Sequence, residues 1–132
     1  MRRKGVLAAA VILAALTAAV LIARGKMPYQ DLKASEVVSA AVRLSPPDET
    51  VPIADPEELV ALLKKVVIYR EDNSYTEYIG QAVTFTLTMA DGSQEEITAY
   101  SPFLIVNGTG YRAKYEPCEQ LNRYANQLRN AG

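Results

Sequence analysis

The chain has 132 residues, with 14 Lys and Arg against 15 Asp and Glu, one cysteine and no histidine. That length suits a single domain. Without histidine there is no Ser–His or Cys–His nucleophile pair, no imidazole acid or base, and no usual zinc site. With one cysteine there is no intramolecular disulfide, so the core must hold the fold.

The first stretch is MRRKGVLAAAVILAALTAAVLIARGK, and residues 6–23 carry no charge. As a helix, 18 residues span roughly 27 Å at about 1.5 Å each, against a bilayer core of about 30 Å. A cleaved signal also has a basic start, an apolar middle and small residues near its end. Three features favour an uncleaved anchor: the apolar run is long, Leu21 spoils the small-residue site near Ala23, and Arg24 and Lys26 follow at once. No cysteine lies near residue 23, which excludes a lipid-modified lipoprotein. Arg2, Arg3 and Lys4 outweigh Arg24 and Lys26, placing the N-terminus inside and the domain outside. If the segment is cleaved, the domain is secreted instead.

Setting these five basic residues aside leaves nine basic against 15 acidic groups, a net charge of −6. An acidic domain without a Lys/Arg cluster is no nucleic-acid binder. Nor does its net charge draw it onto an anionic membrane surface.

Residues 27–35, MPYQDLKAS, are predicted to be a polar tether. EVVSAAVRL alternates and predicts a strand, with Val38, Ala40, Val42 and Leu44 on one face. SPPDET is a turn, and VPI returns as an edge strand where Pro52 needs no partner. DPEELVALLKKV predicts a helix with Asp55 as its cap, Pro56 at its first position and Glu58 completing a capping box. Leu59, Leu62, Leu63 and Val66 form its apolar face.

VVIYR reads as a strand, and EDNSYTEYIG as a polar loop holding Tyr75 and Tyr78. QAVTFTLTM sets Val83, Phe85, Leu87 and Met89 inward against three outward threonines. ADGS is a hairpin turn with positive φ expected at both Asp91 and Gly92. EEITAY, a buried strand FLIV, a second turn at Asn107-Gly108 and YRAKY follow. The last stretch predicts a helix with Leu121, Tyr124, Ala125 and Leu128 along one stripe. Together these predict an α+β fold. It has an N-terminal transmembrane helix (1–26, anchor or signal), a tether, and an extracytoplasmic domain (36–132) with an antiparallel sheet and two amphipathic helices.

Two sets of side chains are candidates for a site. Cys118 sits in a helix's first turn, where the dipole lowers a thiol pKa. Glu116 and Glu119 oppose that shift and no histidine serves as base, so a small apolar plug is the favoured reading. Tyr75, Tyr78, Tyr100, Tyr111 and Tyr115 cluster around loops and hairpins, as in a ligand or partner surface; a half-buried sheet also favours tyrosine. NGTG lacks the helix or lysine of a phosphate loop, and the acidic loops lack calcium-loop spacing, so neither a cofactor nor a metal is expected.

The stretches SPPDETVPI, LLKKVVIY, GQAVTFTLTMADGS and YSPFLIVNGTGYRAKYEPCEQLN resemble a small extracytoplasmic domain of Gram-positive gut bacteria. Such domains look like single-span proteins or tails of penicillin-sensing, antirepressor-type membrane metallopeptidases. The peptidase part, with its HExxH motif, is absent here. The resemblance implies an extracytoplasmic location and a binding or sensing role, not catalysis; the partners expected are the membrane, through residues 6–23, and a protein at its surface. The alternatives are a structural accessory subunit, whose alanine-rich span packs in a larger complex, or an enzyme using Cys118.

Overall fold

A computed structural model gives the fold and describes residues 24–131. The chain is α+β. Seven strands form one antiparallel sheet: β1 (Val37–Ser45), β2 (Glu49–Ile53), β3 (Ile68–Glu71), β4 (Ala82–Met89), β5 (Gln94–Tyr100), β6 (Phe103–Val106) and β7 (Thr109–Ala113). Their order across the sheet is β2-β1-β4-β5-β6-β7-β3, so β3 leaves its sequence neighbours and closes the far edge. The helices are α1 (Glu57–Leu63) and α2 (Tyr115–Ala131). They pack on each other, and α2 lies across the sheet. The expected anchor over residues 6–23 lies outside the described residues. Among the described residues, no helix is long and apolar enough to cross a membrane.

The main core fills the space between helices and sheet. Val42, Leu44, Val83, Phe85, Leu87 and Ile97 come from the strands, and Leu59, Leu63, Leu121 and Ala125 from the helices. Phe85 stacks on Tyr124 with ring centroids 6.2 Å apart. β4 is the strand in which alternation works best: Val83, Phe85 and Leu87 are fully buried, and Met89 packs at the margin. Tyr29, from the stretch expected to be a tether, also belongs to this core, and its hydroxyl donates to Glu95 Oε2 at 3.0 Å. Burial, with Glu95 beside it, raises the Tyr29 phenol above its ordinary range.

Local expectations differ from the fold at four points. In β1 a bulge between Val37 and Ser39 shifts the phase, so Val37 is buried and Val38 is 69% exposed. In α1 the cap position falls on Pro56, with no side-chain cap bond; Asp55 Oδ1 accepts the Glu57 N–H at 3.0 Å from one residue earlier, and Glu58 makes no reciprocal bond among the described residues. The β4–β5 turn has positive φ at Gly92 (88°) and not at Asp91. Met89 N donates to Ser93 O, leaving a three-residue loop in place of a two-residue primed turn. Tyr115, expected at the end of a strand, opens α2. The Asn107-Gly108 turn has positive φ at both residues, 49° and 89°.

Candidate functional site

Pairing across the sheet assigns each residue of β5 to β7 to a face. Ile97, Ala99, Leu104, Val106 and Tyr111 point to the helices, whereas Thr98, Tyr100, Phe103, Ile105 and Arg112 point the other way. Among the described residues, no helix covers that second face. Its cover is a strap, residues 72–80, containing a 3-10 turn at Ser74–Glu77.

Hydrogen bonds fix the strap to β7. Asp72 N donates to Gly110 O at 2.8 Å, and Gly110 N donates to Asn73 Oδ1 at 2.8 Å. Gly110 is required by this close approach: a Cβ there would lie 2.6 Å from Asp72 O and 2.7 Å from Tyr75 Cδ1. Arg112 Nε donates to Asp72 Oδ2 at 2.9 Å. Hydrogen bonds from Ser74, then from Arg112, hold the Asp72 carboxyl well below the usual carboxylate range.

Under the strap lies a second apolar cluster. Phe103 is fully buried, with Tyr78 edge-on at 5.1 Å, Tyr75 at 6.3 Å and the Arg112 guanidinium 4.6 Å above its ring. Ile105 is buried beside it. Where the strap ends, the sheet stays open, and a groove of about 390 Å³ runs along it. Thr98 and Ile105 form its floor, Tyr75, Tyr78 and Tyr100 its aromatic walls, and Glu96 one end. The groove continues past Tyr100 into a hollow of about 270 Å³ with Ile79, Gln81 and Asn122. There Gln81 Oε1 accepts from Asn122 and Asn126, joining α2 to the rim. A larger depression, about 510 Å³, lies at the other end of the sheet between residues 28–36 and the β4–β5 hairpin.

The five tyrosines therefore separate. Tyr75, Tyr78 and Tyr100 come together at the groove. Tyr111 packs against the main core on the opposite face, and Tyr115 stands exposed at the start of α2. Cys118 is fully buried with its Sγ 3.7 Å from Phe103 O. Burial first, and Glu119 second, push its thiol up to about 12, far from a reactive thiolate. Among the described residues, no three His, Cys, Asp or Glu side chains gather as metal ligands. The groove offers ring faces, hydroxyls and one carboxylate, a set suited to stacking and hydrogen bonding.

Sequence reading missed Phe103, Ile105, Arg112 and Gly110 as parts of the site. A signal was present in FLIV, an unbroken apolar run that marks a strand covered on both faces. The identity of the second cover lay in a polar loop with no periodicity. No protein-family model, curated protein or solved structure matches the chain.

Proposed function

We propose that this protein is a non-catalytic, membrane-anchored extracytoplasmic binding or sensor module. Residues 6–23 form its single span, with the N-terminus inside and the domain outside. The likeness to extracytoplasmic sensor-type domains belongs to the same reading. The observation that carries it is the groove: one sheet face left open, walled by Tyr75, Tyr78 and Tyr100 over a floor of Thr98 and Ile105. The inert thiol supports the non-catalytic part.

A photo-cross-linking residue at Thr76, on the groove wall, tests the binding role in intact cells. Cross-linked product is expected at Thr76, is reduced at least several-fold by Tyr78→Ala, and is absent from the same probe at exposed Thr50 on β2. No product at Thr76 above that at Thr50 sinks the proposal. Topology needs an introduced thiol, since Cys118 is buried. Thr50→Cys is expected to react with an impermeant maleimide on whole cells.

A further inference from the structure

We infer that the corner of the domain around Lys26 rests on the phospholipid surface, with tyrosines among the headgroups and basic side chains on anionic phosphates. The inference rests on residues 1–23 being the membrane anchor. Its first support is how the chain leaves that segment. Lys26 pairs with Ile68 through two backbone hydrogen bonds, N to O at 2.7 Å and O to N at 2.8 Å. Gly25 has φ 79°, and a Cβ there would meet Val67 Cγ1 at 2.6 Å, Ile68 O at 2.7 Å and Tyr69 Cδ1 at 2.9 Å. The domain thus begins against β3 with no slack. Two residues reach at most about 7 Å, so β3 is held close to the end of the span.

The second support is what surrounds that point. Lys114 N donates to Val67 O at 2.9 Å, which sets the start of α2 beside β3. Lys64 and Lys65 close α1 just before Val66 and Val67. Six large apolar side chains are exposed among the described residues, and three of them belong here: Met27 (43%), Tyr69 (38%) and Tyr115 (60%). Tyrosine prefers the interface because its ring is apolar and its hydroxyl is wet.

Charge is the third support, and it reverses the expectation from net charge. Among the described residues, the four ion pairs use Arg43, Arg112, Arg123 and Arg129. Of the seven described basic residues outside these pairs, Lys33 lies elsewhere, and Arg24, Lys26, Lys64, Lys65, Arg70 and Lys114 all fall within four residues of the Lys26–Ile68 and Val67–Lys114 backbone pairings. The nearby Glu116 is taken up by Arg123 at 2.7 Å, which leaves Glu71 as the acid of β3. Attraction to anionic lipid acts within a Debye length, about 8–10 Å, so these residues feel the surface and the distant carboxylates do not. The sheet then rises from the bilayer with β3 nearest and β2 farthest, and the tyrosine groove opens sideways.

The test uses the full chain reconstituted in vesicles, with nitroxide labels on Tyr69→Cys, Tyr115→Cys and Thr50→Cys; buried Cys118 stays unlabelled. Flotation comes first: a chain that does not float with the vesicles refutes the anchor, and the docking with it. In floating protein, labels at 69 and 115 are expected to be several-fold less accessible to a water-soluble nickel chelate than the label at 50. That protection is expected to grow when a third of the lipid is phosphatidylglycerol. Lys64→Glu with Lys65→Glu should remove the phosphatidylglycerol dependence while the circular dichroism stays unchanged. Equal nickel access at all three positions in floating protein overturns the docking while leaving the anchor standing.

Discussion

The two faces of β4 to β7 are built from the same strands and do different work. Toward the helices the side chains are mostly Leu, Ile, Val and Phe, with Ala99, Met89 and Tyr111 among them, and two amphipathic helices seal them. Toward the strap they include threonines, Tyr100, Arg112 and two neighbouring apolar residues, Phe103 and Ile105, with a nine-residue strap holding one 3-10 turn over Phe103. The first face is closed because apolar area must leave water. The second is closed only where Phe103 demands it, and the remainder is left as a groove. One face supplies stability and the other supplies a surface; the strands between them need a different residue chemistry on alternate positions to do both.

The largest effect should come from breaking the first face. Phe85→Ala removes a fully buried ring stacked on Tyr124 and is expected to cost about 4 kcal/mol, read as a lower urea midpoint with global loss of amide protection. Phe103→Ala removes a ring of equal burial on the other face. A cost of about 3 kcal/mol is expected, with the distinguishing result in hydrogen exchange. Amides of residues 72–80 and 109–112 should lose protection while those of β1 and β4 keep it. Uniform loss across the sheet would mean that the two faces form one cooperative unit.

Gly110→Ala sharpens the same contrast, because it pushes on the strap alone. The methyl meets the Asp72 carbonyl and the Tyr75 ring, so about 1–3 kcal/mol of overpacking should appear as strap exchange and a changed tyrosine fluorescence. Cys118→Ala should cost about 1 kcal/mol, since it removes one small apolar group from the core side. Its pH signature is the stronger check. The thiol pKa is raised in the fold to about 12, so its contribution is complete below the unfolded value of about 8.5 and is lost as pH rises from there. In pH-dependent melting, the Ala variant should lose that part of the alkaline decline.

The smallest effect is at Asp72, whose carboxyl is depressed by Ser74 and Arg112. A depressed acid stabilises the fold above its unfolded value of about 3.9, and that contribution is lost as pH falls below it. Strap amides should therefore open on acidification before the main core does, and Asp72→Asn should open them already at neutral pH. A strap that keeps full protection at pH 3 would break the assignment.

Much of this protein follows from sequence alone because local physics determines it. Period-two patterns placed β1 and β4, the Asn107-Gly108 pair placed a hairpin, and the Leu121–Leu128 stripe placed α2, since each depends on a few neighbouring residues. The absence of histidine and the single cysteine set the available chemistry before any folding. What tertiary structure decided depends on residues far apart in the chain. The bulge that inverts Val37 and Val38 is set by register against β4. The burial of Cys118 is set by the main core it joins, with its Sγ on the Phe103 carbonyl 15 residues away. The grouping of Tyr75 and Tyr78 with Tyr100, and the exclusion of Tyr111 and Tyr115, follow from which face of the sheet each strand position occupies and from where the strap lands. Local pattern fixes which faces are apolar; only packing decides what comes to cover them, because that choice is made by the total surface removed from water.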